Sequence, residues 1–225
     1  MIGIPLSRAA GVLLILTFLA ACQTPGASRV EDVPLSTEPL TGKFVWHDLI
    51  TDDPVSVRRF YGTLFGWRFE DTKHPNGGDY TLILAGKHLV GGIVQLSDPD
   101  NAEYSRWLGY LSVPDVDRAV QSTRADGGEA VIGPLTLPGI GRAAAVIDPQ
   151  GAVVGFLRSD IGDPDDSITP APGHIVFNEM LAADDLGAAK FYAQVTGASQ
   201  AAVERRGGVY LSLIHISEPT RPPVA

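Results

Sequence analysis

Asp48 is the residue of this chain whose type and setting promise chemistry. It lies in FVWHDLIT, residues 44–51, whose β-branched and aromatic side chains suit a strand. Alternation along a strand puts Trp46 and Asp48 on one face and His47 on the other. A carboxylate held beside an indole among apolar neighbours has its ionised form disfavoured. Its pKa then rises, and it can act as a base or a hydrogen-bond acceptor near neutral pH. The alternative is a carboxylate that bonds a neighbouring backbone group and fixes the sheet; the sequence leaves both open. His47 reads as a structural or surface histidine, and His74, His88 and His174, near turns or a linker, read as solvated.

The elements that must hold Asp48 can be read around it. Asp53 and Pro54 form an N-cap followed by the favoured first-turn proline. Val57, Phe60, Tyr61, Leu64 and Phe65 then fall at helical spacing on one side, with Arg58 and Arg59 on the other, and Gly66 supplies the stop. This strand-and-helix cassette, residues 44–66, returns at residues 175–197: Val45, Asp53, Phe60, Tyr61 and Gly66 recur as Val176, Asp184, Phe191, Tyr192 and Gly197, while Trp46 becomes Phe177 and Asp48 becomes Glu179. A weaker echo carries Leu49, Asp53 and Gly66 onto Leu111, Asp115 and Gly128, and puts Tyr110 at the place of Asp48. A unit with one apolar face needs a partner unit to cover it. After the first cassette come RFEDT, DYTLILAGK and HLVGGIVQL, and after the second EAVIGPLTL, GRAAAVID and AVVGFLRS. The chain therefore predicts two βαβββ modules, side by side. Gly139, Gly141 and Ala144 match a loose dinucleotide pattern, but they lead into a strand, where that fingerprint must open a helix.

Of the 225 residues 44% are hydrophobic, enough for one or two domains with a core, and the net charge of −9 argues against a nucleic-acid partner. Residues 1–21 read as a secretion signal: Arg8 precedes an apolar run too short for a typical membrane span. The run ends in Leu19, Ala20, Ala21 and Cys22, which resembles the bacterial lipobox. Cys22, the single cysteine, is then the lipidated first residue of the mature chain. This expectation places the protein at the bacterial cell envelope, on the outer membrane facing the periplasm in a diderm host, with the membrane as a partner. Residues 22–42, rich in Pro, Ser, Thr, Asp and Glu, read as a flexible tether.

The motifs WHDLITDDP with FYGTLFGW, SVPDVDRAV with GGE, and DPQGAVVGF resemble the vicinal oxygen chelate superfamily of glyoxalases, extradiol dioxygenases and bleomycin-resistance proteins. The resemblance implies an α+β fold in which paired βαβββ modules form a curved mixed sheet around a cavity, here over residues 43–159. It also implies where metal ligands would stand: Trp46, Leu108, Gly155, and Gly91 or Gly92. None of these side chains can hold a metal, so no cofactor is expected. Trp46, Asp48 and Tyr110 would line the cavity, and Arg142 would either bring positive charge to its mouth or sit solvated at a strand end. The favoured reading is binding of a small molecule without metal; the alternative is a metal-dependent lyase or dioxygenase. A third reading, an interaction module alone, gains weight if the cavity is filled by its own side chains.

Residues 160–173, DIGDPDDSITPAPG, read as an interdomain linker, and residues 174–210 as the truncated start of a second copy. One strand and one helix bury too little apolar area to offset their ordering entropy, so this part is expected to be poorly packed. LSLIHISEPTR, opening the tail at 211–225, resembles a translated sequencing adapter and reads as non-native.

Overall fold

A computed structural model describes residues 35–36, 38–73, 78–96, 105–165, 170, 172–205 and 208–214, with backbone alone from residue 200. The signal segment, Cys22, most of the tether, His74 and the tail from residue 215 lie outside the described residues.

After a short strand β1 (Leu35–Ser36), the first module runs β2 (Phe44–Thr51), α1 (Pro54–Phe65), β3 (Arg68–Lys73), β4 (Asp79–Ala85) and β5 (His88–Gln95). The second repeats it as β6 (Arg106–Ser112), α2 (Val116–Ala125), β7 (Glu129–Leu137), β8 (Gly141–Ile147) and β9 (Val153–Ser159). Then follow β10 (Asp163–Pro164), α3 (Asp185–Thr196) and a hairpin of β11 (Ser199–Arg205) and β12 (Gly208–Ile214). The predicted modules stand as read, forming one eight-stranded mixed sheet in the order β3-β4-β5-β2-β6-β9-β8-β7.

The first strands of the two modules meet antiparallel at the centre, with Trp46 opposite Tyr110, His47 opposite Gly109 and Asp48 opposite Leu108. Each also runs parallel to the last strand of its own module, Asp48 beside Gly92 and Tyr110 beside Gly155. The modules are thus related by a pseudo-two-fold axis through the 47/109 pair.

The three helices begin alike. Asp53, Asp115 and Asp184 each accept a bond from the backbone N–H three residues on, at 2.9, 3.0 and 2.9 Å, satisfying a donor the helix cannot. Gly66 ends α1 at φ 69°, a conformation that costs glycine little. Both sheet-bound helices lie on the convex face, but differently. Small residues Ala119 and Thr123 let α2 settle closely, whereas the rings of Tyr61, Trp67 and Trp107 stand between α1 and the sheet, Trp107 Nε1 donating to the Tyr61 hydroxyl at 2.9 Å.

Three expectations are corrected. The helix of the third cassette is not poorly packed: Phe191, Tyr192 and Val195 of α3 are buried against α2 and its strands, and Tyr192 donates to the Asp148 carboxylate at 2.9 Å. The helix gains from the second module the apolar cover that its own domain lacks. Its first strand, expected over residues 175–182, is not formed. The tether, in turn, is held at its end: β1 pairs with β10, and the buried Asp163 carboxylate accepts from Leu40 N and the Ser112 hydroxyl.

Candidate functional site

The structure brings Trp46, Asp48 and Tyr110 together on the concave face and adds Tyr80, which sequence reasoning missed. Asp48 Oδ1 accepts from Tyr80 Oη at 2.7 Å and from Trp46 Nε1 at 3.0 Å. Trp46 Nε1 also reaches Tyr80 Oη at 3.2 Å, and Tyr110 directs its hydroxyl at the same carboxyl group. Asp48 Oδ2 is buried and, among the described residues, has no hydrogen-bond partner. Asp48 is 0% exposed, Tyr110 0%, Tyr80 3% and Trp46 7%.

Burial pushes the Asp48 carboxyl up to about 7, because a charge there loses its hydration; the Tyr80, Trp46 and Tyr110 donors offset only part of this. Burial, and then the neighbouring Asp48 charge, hold both phenols well above their ordinary range. They stay protonated and donate. The group is therefore a carboxyl poised between its two states inside an aromatic cage, able to accept one more hydrogen bond at Oδ2 when ionised or to donate one when protonated.

Glycines make the cage fit. A Cβ at Gly92 would lie 1.8 Å from Tyr80 Oη, and one at Gly155 would lie 2.1 Å from the Tyr110 ring, so each phenol occupies room that any other residue would take. Tyr80 could have been suspected from the alternation in DYTLILA, but its contact with Gly92 needs the pairing of β4 with β5, which no local pattern states.

Other candidates fall elsewhere. Arg142 is corrected: alternation along β8 turns Ala143 and Ala145 to the concave face and Arg142 to the helix side. There its guanidinium pairs with Asp117 in the first turn of α2 and donates to Thr136 at 3.1 Å. His47 stands on the convex face, its Nε2 2.7 Å from Asn178 Oδ1, and burial holds its pKa below the ordinary value despite that bond. The His88 and His174 rings lie 5.7 Å apart and touch each other. The described clefts, of about 320 and 360 Å³, lie against Arg58 and Asp71 and against α3. The first touches the cage at Tyr80, but neither is lined by Trp46, Asp48 or Tyr110, which are at most 7% exposed.

The metal implied by the resemblance does not fit these residues. The four ligand positions carry indole, isobutyl and two hydrogens, and the one carboxylate beside them, Asp48, has an N–H and an O–H dipole aimed at Oδ1, the polarity that repels a cation. Among the described residues no group of three His, Cys, Asp or Glu is placed to hold a metal.

Comparison with known proteins agrees with this fold. The chain is 29% identical over 182 residues to "Putative glyoxylase CFP32" of Mycobacterium tuberculosis, covering 78% of this chain and 68% of that protein. It is 28% identical over 179 residues to "Anthracycline biosynthesis protein DnrV" of Streptomyces peucetius, covering 74% and 64%. Its fold resembles that of the Mn(II)-bound glyoxalase from Novosphingobium aromaticivorans, with a TM-score of 0.50 and 17% identity over 72% of this chain and 55% of that one. The chain thus spans a little over half the length of that structure. Residues 43–156 match the family model of the Glyoxalase/Bleomycin resistance protein/Dioxygenase superfamily, and to that superfamily the chain belongs.

Proposed function

We propose that this chain is an envelope-anchored, metal-independent member of its superfamily that binds a small, flat, apolar molecule carrying one hydrogen-bonding oxygen. One observation carries the reading: Asp48 Oδ2 is buried without a partner in an aromatic setting, and an unsatisfied buried polar atom is costly unless something else completes it. A hydroxyl on a ring stacked against Trp46 would do so. DnrV, by its name a protein of anthracycline biosynthesis, supports an oxygenated polycyclic aromatic as the class. The metal-activated alternative finds no ligand set at the positions it requires.

Titration with 1,8-dihydroxyanthraquinone, followed by quenching of tryptophan fluorescence, tests this. Saturable binding is expected, unchanged by EDTA, and weakened roughly tenfold or more in Asp48→Ala, as loss of one charged hydrogen bond implies. Binding that appears only with added zinc or manganese would sink the proposal. A second reading is favoured by the depth of the cluster, at most 7% exposed: the cage is core, and the domain serves as an assembly module. No binding to any such aromatic would select it.

The anchor rests on the sequence around Cys22. Metabolic labelling with an acyl-chain probe is expected to mark the chain and to lose the mark in Cys22→Ser; at about 0.8 kcal/mol per buried methylene, more than one acyl chain holds stably. An unlabelled or soluble wild type would refute it.

A further inference from the structure

We propose that His88 and His174 form an open binding site for an imidazole-seeking divalent metal, copper(II) or zinc(II), which ties the chain after the linker to the β4–β5 hairpin.

The two histidines come from distant parts of the chain and meet on the convex face, across the sheet from Asp48. His88 opens β5 and stands opposite Ala85 in the hairpin, so the two share a face. Ala85, Trp67 and Val90 belong to one apolar group there. His174 lies between two anchored neighbours. Gly173, at φ 90°, gives its carbonyl to Trp67 Nε1 at 2.8 Å, and Ile175 packs on the same apolar group. Both rings are half-buried and stand on backbone that is already fixed, so little conformational entropy remains to be lost when a metal joins them.

The ring geometry suits a shared ion. The centroids lie 5.7 Å apart, with the planes inclined at 56°. Two imidazoles bound to one metal at about 2.0–2.1 Å hold their centroids roughly 5.2 to 5.5 Å apart in a tetrahedral or trigonal shell. The pair has to close by no more than about half an ångström, which half-buried side chains achieve within their rotamer wells. Parallel stacked rings would aim their nitrogens alongside one another. Inclined rings can aim one nitrogen each at a common point.

The donor set names the ion. Imidazole suits copper(II), zinc(II) and nickel(II), whereas magnesium and calcium seek oxygen ligands. Arg68, which donates to the Gly86 carbonyl, and Lys87 make the hairpin turn cationic, so binding rests on the metal–imidazole bond itself and not on attraction by charge. Among the described residues no third His, Cys, Asp or Glu completes the set. The other positions therefore belong to water, and the site stays open. It lies apart from the centre that the resemblance implies and is independent of the aromatic ligand proposed at Asp48.

The test uses the untagged Cys22→Ser chain, which lacks the competing thiol. Titration with copper(II) against a chromophoric chelator is expected to show one ion per chain, with a paramagnetic resonance spectrum split by two imidazole nitrogens. Zinc(II) should compete for the same site with lower affinity. His88→Gln and His174→Gln should each weaken copper binding roughly tenfold or more, since a lost ligand costs at least as much as a lost outer partner. Affinity should also fall from about pH 7.5 to about pH 5.5, because an imidazole must be neutral to ligate. Equal affinity in either variant, or loss only in His74→Gln, would overturn the proposal. Hydrogen exchange with and without zinc gives a check that needs no histidine variant: roughly tenfold slowing is expected at residues 173–175 and in the β4–β5 hairpin. Slowing confined to other segments, or dimers by light scattering in which the metal bridges two chains, would overturn it as well.

Discussion

At pH 8 an Asp48→Asn variant is expected to resist urea better than the wild type, and near pH 4 the two are expected to coincide. The folded chain binds a proton at Asp48 with a pKa of about 7, against an ordinary value of 3.8. Between those limits the folded state holds the proton and the unfolded chain has released it, so stability falls as pH rises. The contribution is fully present below 3.8, declines up to about 7 and is absent above. The gap corresponds to on the order of 4 kcal/mol, a large part of the net stability of a domain this size. Asparagine reproduces the neutral acid at Oδ1 and carries no charge to bury, so the slope from this position vanishes. Urea titrations at pH 5, 6, 7 and 8 measure it; parallel pH profiles for variant and wild type would refute the buried-acid account. Asp48→Ala should differ in sign, losing about 3 kcal/mol, because Trp46 Nε1 and the Tyr80 hydroxyl lose their acceptor and a hole is left.

Gly155→Ala is expected to cost about 3 kcal/mol, or roughly 10 °C in Tm. The new methyl would meet Tyr110 Cδ1 at 2.1 Å, in the body of the ring rather than at a movable tip. Tyr110 is fully buried, with its hydroxyl turned to Asp48, so it has nowhere to swing. Gly62→Ala supplies the contrast. That residue sits within α1, where a Cβ would find its nearest neighbours at 3.5 Å, and alanine there should be neutral or stabilising by up to about 1 kcal/mol. Combining Gly155→Ala with Tyr110→Leu should recover part of the loss. Equal melting temperatures for the Gly155 variant and the wild type would show that the cage is looser than drawn.

What the sequence could state was whatever repeats or alternates. Asp53, Asp115 and Asp184 announced three helix starts because an N-cap is a local device, and the shift of 62 residues placed Tyr110 at Asp48's station before any sheet was known. Trp46 and Asp48 shared a face because a strand has period two. Arg142 was left open between the cavity mouth and a solvated strand end for want of an anchor: which face of β8 is concave follows from Ala143 and Ala145 packing in the core, a tertiary fact. Tyr80 was invisible because its partner Gly92 lies on another strand, and a glycine in a sequence does not say what fills the space above it. The docking of α3 was missed because its cover comes from the other domain's helix, across a linker whose path carries no periodic signal.

The clasp between β1 and β10 also has a mechanical meaning. The incoming chain at Leu35 and the outgoing chain at Pro164 leave the domain side by side, joined by a two-residue ladder, by the Asp163 carboxylate and by Lys43 Nζ on the Pro164 carbonyl. A pull on the N-terminal segment thus meets this clasp before it reaches β2. The clasp would open one rung at a time, like a zip, while the eight-stranded sheet behind it carried no load until the slack ran out. The segment ahead of the sheet then acts as a fuse: under tension it lengthens by a few residues, and Asp48 and its cage stay as they were.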